Sequence, residues 1–354
     1  AGAALALMET MADYGTVAFF GVQTFTTGIV RAWLSYGDRV AAAQLSAALL
    51  AFVFVAIVLE RWSRARARFH HTSVRYRHLP TYRLTGMRAA AAFAACAVPL
   101  ALGFVVPALV LAGMAAEVSE PGRIGRYLEL MGNSFTLGGV TALLAVVVAL
   151  MMAYGARAHP TRLALVANRL ASLGYAVPGA VMAVGVLIPA ALFDNTLDGW
   201  MRTTVGISTG LLLTGSVAAL IYAYLVRFLA VSYNTVDASL GKINPNMDAA
   251  AQVLGCGPIA TLRRVHLPLM RPSLLAAGLL VFVDVVKELP ATLMMRPFNF
   301  DTLAVQAYNF AADERLAEAA IPSLTIVAIG LAPVIVLSRT IARARPGTAA
   351  RALP

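Results

Sequence analysis

The chain has 354 residues, 60% of them hydrophobic and 13% charged, with a mean hydropathy of +0.76. A soluble domain of this length needs far less apolar side chain for its core, and a bilayer is the solvent that tolerates the excess. The net charge of +11 is a topology signal rather than a nucleic-acid footprint, and two cysteines make no disulfide framework.

Apolar runs occupy residues 3–20, 40–59, 89–111, 137–154, 175–193, 211–231, 274–295 and 321–337. Most approach the roughly 20 residues that carry a helix across about 30 Å of hydrocarbon. They lack the strict alternation of barrel strands. The expectation is an all-α, polytopic membrane protein with about eight spans. Pro178, Gly179, Gly185, Pro189 and Pro333 fall inside these runs, where neighbouring helices can re-satisfy freed carbonyls. Gly179, Ala183 and Gly185 are spaced as a small-residue packing surface. Cys96 reads as a small core residue and Cys256 as a loop residue. Only His70 and His71 are adjacent, so no histidine metal cage is expected.

Orientation follows from the basic residues. Segment 60–88 holds Arg61, Arg64, Arg66, Arg68, Arg75, Arg77, Arg83 and Arg88. Alternate loops continue the trend with Arg157, Arg162 and Arg169, then Arg227, Lys242, Arg263, Arg264 and Arg271, then Arg339, Arg343, Arg345 and Arg351. These mark the cytoplasmic side. The opposite loops are mixed or acidic, with Asp38, Glu117, Glu120, Glu129, Asp194, Asp198, Asp301, Asp313, Glu314 and Glu318.

The chain repeats itself. The opening residues align with those from Ala277 onward, so that after a one-residue shift near the start Glu9 matches Asp284, Asp13 matches Glu288, Thr27 matches Thr302, Trp33 matches Tyr308 and Asp38 matches Asp313. The first copy opens in the middle of a unit whose second copy starts near Ala89. The chain is therefore expected to be the C-terminal part of a longer fused protein. Residues 1–59 would end one half, 60–88 would be an Arg-rich cytoplasmic linker, 89–338 a second half, and 339–354 a basic tail.

The sharpest motif lies in the loop 232–273. Ala249 to Leu254 reads as a short helix begun by Asn246 or Asp248 and stopped at Gly255. Gly257 and Pro258 turn the chain, and Ile259 to Leu267 reads as a basic amphipathic helix ended by Pro268. Such a pair is too polar for lipid and too apolar to stand alone, which suits it to a partner at the cytoplasmic face.

This loop resembles the coupling loop of the inner-membrane permeases of binding-protein-dependent ATP-binding cassette importers. That loop reads Glu-Ala-Ala, three residues, Gly, nine residues, Ile-x-Leu-Pro. Ala249, Ala250 and Ala251, then Gly255, then Val265, Leu267 and Pro268 keep both spacings. Ala249 stands at the usual Glu position, and the nearest acid is Asp248, one residue earlier. Stretches 7–22, 70–86, 175–189 and 284–304 resemble the fused, two-half permeases of ferric iron importers. The resemblance implies six spans per half, about twelve in the full-length protein, a helical permease bundle in the inner membrane, and two copies of a nucleotide-binding ATPase below. It also implies a periplasmic iron-binding protein above, with ATP and Mg on the ATPase and no cofactor on this subunit. Relatives of this kind also carry thiamine, phosphonates, polyamines or sulfate.

Ionisable side chains inside a hydrocarbon slab are functional candidates by default. Glu9 and Asp13, at i and i+4, would share one helix face, as would Asp284, Lys287 and Glu288. The two faces could meet at a central pathway, where carboxylates would offset the lost hydration of a hard cation such as ferric iron. Alternatively, Lys287 neutralises Asp284 or Glu288 in a structural pair. Pro290 is expected to end the Asp284 helix, as in a bent span. Asn299, Asp301, Tyr308, Asn309 and Asp313 would form an outer loop open to a soluble donor protein. A secondary transporter would have no need of the docking loop. No Gly-x-Ser-x-Gly, His-Glu-x-x-His or Walker loop is present, so an enzyme is not expected and ATP hydrolysis would fall to a partner.

Overall fold

In lipid, a long apolar run can satisfy its backbone only within itself, and the runs of this chain do so as helices. A computed structural model describes residues 2–65, 82–118 and 124–344. Linker residues 66–81, with His70 and His71, lie outside the described residues, as do Glu120 and the tail from 345 onward. Every regular element among the described residues is helical. Among the described residues seven helices are long and apolar enough to cross a membrane: Arg39–Glu60, Gly86–Ala116, Gly125–Ala158, Gly179–Thr204, Val217–Leu240, Pro258–Val286 and Leu316–Ile335.

The expected eighth span, the run 3–20, is broken. Helix α1 (Gly2–Ala12) stops at Asp13 and Tyr14, and α2 (Gly15–Phe19) restarts the chain. After it come α3 (Phe25–Leu34), closed by a reciprocal cap between Thr24 and Thr27, and α4 (Arg39–Ala65), whose first amides are taken by the Asp38 carboxylate. The second copy repeats this succession near the other end of the chain. There α13 (Leu267–Val286) breaks at residues 287–289 and α14 (Pro290–Met295) follows. Next come α15 (Leu303–Ala312), capped by Thr302, and α16 (Leu316–Ala344). Pro290 starts α14 rather than ending α13, because a residue without an N–H suits the first helical turn. That alignment drifts after the break: the structural counterpart of Thr302 is Thr24, not Thr27, because α14 and its following loop are longer than α2 and its loop.

Helix α5 (Gly86–Leu100) runs through a π turn at Ala101–Val105 into α6 (Val106–Ala116), which packs on α16. None of its residues is buried, so Cys96 is exposed rather than a core residue. An apolar face turned to lipid needs no protein cover. The core lies elsewhere, where α7 (Ile124–Ala158), α10 (Val217–Leu240) and α13 pack on one another. Ala142, Ala145, Ala149 and Ala153 form a buried small-residue stripe on α7 that permits close approach. At the Arg-rich end, α8 (Arg162–Ala171) is amphipathic and exposes Leu163, Leu165, Val166 and Leu170.

Helix α9 (Gly179–Thr204) runs well past the expected end at residue 193. Asp194 and Asp198 are therefore helical, not loop residues. Asp194 is fully buried and accepts the amides of Leu213 and Thr214, at 3.1 and 2.7 Å, fastening the loop that leads to α10. Arg227 is likewise in the middle of α10 rather than in a loop. Helix α11 (Pro245–Val253) is capped by Asn244, not by Asn246 or Asp248. Then α12 (Pro258–Thr261), a π turn at Leu262–His266 and α13 form one continuous rod. Pro268 does not end a helix here; it sits in the first turn of α13, directly after the π turn. The connection between α10 and this rod is thus 241–257, shorter than the expected 232–273.

Candidate functional site

The two helix breaks lie side by side and bound a cavity of about 520 Å³. Glu9, Asp13, Asp284, Lys287 and Glu288 all line it, together with Tyr175 and Arg227. Asp284 and Lys287 meet at i and i+3 as expected, but Glu9 with Asp13 and Asp284 with Glu288 share no helix face, because Asp13 lies beyond α1 and Glu288 lies in the break after α13. The breaks themselves turn the five side chains to one space.

Each charge has a distinct setting. Glu9 accepts a hydrogen bond from the Tyr175 hydroxyl at 2.6 Å. Asp13 accepts the Thr16 amide at 3.4 Å, at the start of α2. Lys287 pairs with Asp284 at 2.9 Å and keeps half of its side chain exposed. Glu288 pairs with Arg227 at 2.6 Å, with only 3% and 11% of their side chains exposed. Its carboxylate also accepts the amides of Ala291 and Thr292, at 3.1 and 3.3 Å. The Thr292 hydroxyl donates to the Glu288 carbonyl at 2.8 Å and meets the buried Tyr224 hydroxyl. Lys287 therefore neutralises Asp284, while Glu288 has its own partner.

Sequence reasoning missed Arg227, although an arginine inside the apolar run 211–231 was the signal. At about 1.5 Å per residue it lies about 15 Å from the Val217 end of α10 and about 20 Å from the Leu240 end. A charge at that depth needs a partner. Gly179 makes room for the pair: a Cβ there would overlap both the Glu288 carboxylate and the Arg227 guanidinium. Of the expected small-residue surface, Gly179 thus serves this pair and Ala183 is buried, while Gly185 faces open space. A second cavity, of about 830 Å³, shares Gly15, Lys287 and Leu289 with the first. Tyr14 lines one and Tyr308 the other, and their hydroxyls meet at 2.8 Å. Four carboxylates face two cations across the smaller cavity. Among the described residues no group of three His, Cys, Asp or Glu side chains could hold a metal ion.

The second region is the loop between α10 and the rod. Ala249 and Ala250 are exposed and Ala251 is buried. Gly255 closes α11 with a φ of +76°, a conformation that only glycine adopts cheaply. Val253, Leu254 and Ile259 are 88%, 81% and 80% exposed, an apolar tip outside the bundle. Val265 and Leu267 are half-buried within the rod, and Pro268 is exposed. Asp248 faces inward, 2.8 Å from Arg157 and 2.6 Å from His266. Burial pushes its carboxyl up, but the hydrogen bonds from Arg157 and His266 outweigh this and hold it below the usual carboxylate range.

At the opposite end, Asp301 pairs with Arg296 and Arg126, and its carbonyl accepts Asn133 at 3.0 Å. Phe298 beside it is fully exposed. Tyr308 and Asn309 lie on α15 rather than in this loop.

No protein-family model matches the sequence. The chain is 26% identical over 339 residues to "Fe(3+)-transport system permease protein FbpB 2" of Haemophilus influenzae, covering 95% of this chain and 64% of that protein. It is also 26% identical over 215 residues to "Putative 2-aminoethylphosphonate transport system permease protein PhnV" of Salmonella typhimurium, covering 61% of this chain and 75% of the relative. Among solved structures, a bacterial alginate ABC transporter in complex with an alginate pentasaccharide-bound periplasmic protein matches with a TM-score of 0.54 at 14% identity. That match covers 72% of this chain and 94% of the other. The chain has the helical-bundle fold of an ABC importer permease, and its relatives are transport permeases.

Proposed function

We propose that this chain forms part of the transmembrane permease of an ATP-binding cassette importer in the inner membrane, and that it moves ferric iron. The observation that carries the importer reading is the apolar tip of Val253, Leu254 and Ile259, held on a short helix pair that runs straight into α13. A surface of this kind, outside the bundle and rigidly joined to a span, suits a nucleotide-binding ATPase. Two copies of that ATPase would hold the ATP and Mg²⁺, and this subunit would catalyse nothing. A periplasmic binding protein would deliver substrate at the end that carries Phe298 and Asp301. Hydrolysis would then rock the two halves about the cavity between the helix breaks.

Ferric iron is favoured by the excess of carboxylates over cations in that cavity and by the likeness to a ferric permease over nearly the whole chain. The phosphonate relative suggests an anion instead, which Lys287 and Arg227 could meet; both, however, are already paired with acids. The test is uptake in cells rebuilt with the full-length permease, its ATPase and its cognate binding protein. The expected result is ATP-dependent accumulation of labelled ferric iron. Iron uptake untouched by deletion of the permease, with loss of phosphonate or polyamine uptake instead, would move the substrate and leave the architecture in place. Aspartate at Val253, Leu254 or Ile259 should abolish association with the ATPase while the spans still fold; retained association would sink the docking reading.

A further inference from the structure

We infer that Asp248, Arg157 and His266 are positioning residues that carry motion of the docking helix α11 into the spans, an inference that rests on reading 241–257 and the helices flanking it as the docking loop. Only one residue of α11, Ala251, is buried. Apolar packing alone therefore holds this helix weakly, and its attachment to the bundle falls to polar contacts.

Those contacts converge on Asp248. One carboxylate oxygen accepts Arg157 Nε at 2.9 Å and the other meets His266 Nε2 at 2.6 Å. The same guanidinium donates to the carbonyls of Leu240 and Ile243, at 2.6 and 2.9 Å, and so grips the end of α10 and the turn after it. His266 is fully buried in the π turn where the rod enters α13. Tyr154, one turn before Arg157, donates to the Pro258 carbonyl at 2.7 Å and sets its ring edge to face against His266. A single carboxylate thus joins α11 to α7, to the end of α10 and to the root of α13. Both oxygens are thus engaged from within the bundle. Ala249, the exposed residue beside it, offers the partner only a methyl group. In this chain the acid serves as an internal brace, and the ATPase is met by apolar side chains.

The experiment uses the full-length permease in lipid nanodiscs, with and without its ATPase. Asp248→Asn and His266→Leu are each expected to lower substrate moved per ATP hydrolysed by about tenfold, while affinity for the ATPase stays within about threefold of the parent. His266→Gln, which keeps a donor toward Asp248, should restore the ratio. In the permease alone, Asp248→Asn and Arg157→Gln should be non-additive in thermal stability. A loss of ATPase affinity with an unchanged transport ratio would make Asp248 a contact residue and overturn the brace, as would additivity of the two substitutions. Failure of the parent permease to bind the ATPase would overturn the docking reading instead, and the stability cycle would still report on the brace.

Discussion

Arg227→Met removes one partner of a pair buried at mid-helix and leaves the Glu288 carboxylate without a counter-charge. Breaking a buried ion pair from one side costs about 3–5 kcal/mol. Glu288 keeps the amides of Ala291 and Thr292, which places the expected loss near the lower end, about 3 kcal/mol, or about a hundredfold in the folded-to-unfolded ratio. Glu288→Met added to Arg227→Met should recover most of this, because apolar residues of similar volume often replace a buried pair at little cost. The assay is reversible unfolding in mixed detergent micelles, with all four members of the cycle compared without the ATPase. Uptake supplies a second readout: the stable double variant should still fail to transport if the cavity needs these charges. A loss below about 1 kcal/mol for Arg227→Met, or a double variant as unstable as the sum of the singles, would refute the assignment of this pair as a buried, mutually dependent one.

Gly179→Ala should force the same pair apart, costing about 1–3 kcal/mol by overpacking, a loss that disappears in the Arg227→Met/Glu288→Met background. A Cβ at Gly255 meets no neighbour, so the expected cost of Gly255→Val, about 1–2 kcal/mol, is that of a side chain on a left-handed backbone; ATPase stimulation should fall while the spans stay folded. Tyr308→Phe removes one hydrogen bond between the copies, worth about 1 kcal/mol, measurable as a lowered unfolding midpoint. Because the folded Asp248 carboxyl lies below the unfolded aspartate value of about 3.9, its contribution is complete above that pH and lost as pH falls through the lowered folded value. Amide exchange of α11 should show that loss on acidification, and Asp248→Asn should remove the protection already at neutral pH.

How much of the site was legible depended on the range of the cause. Gly255 declares its turn in the sequence because a left-handed φ selects glycine at that one residue, whatever lies around it. The intramembrane acids were legible for a similar reason: the cost of a charge in hydrocarbon attaches to the residue itself. Partner choice was not legible. Lys287 lies one residue from Glu288 in the chain, yet Glu288 is paired with Arg227, 61 residues away, because the break after Val286 turns the glutamate toward α10 and Gly179 leaves it room.

Hydropathy and run length determined, without any tertiary information, that the chain is a bundle of long apolar helices. Local backbone chemistry determined where α11 stops, and the repeat determined that the chain holds two copies of one helical succession. Only the tertiary structure decided that the run 3–20 is two helices and that the helical stretch before Pro268 continues without a stop into α13. Only there does Asp248 turn inward and do six charges from three parts of the chain share one cavity. Periodicity assumes an unbroken helix and assigns faces accordingly; a break of two or three residues reassigns every face beyond it. Where a break falls, and what its side chains meet, depends on neighbours brought close by packing rather than on the residues beside them in the chain.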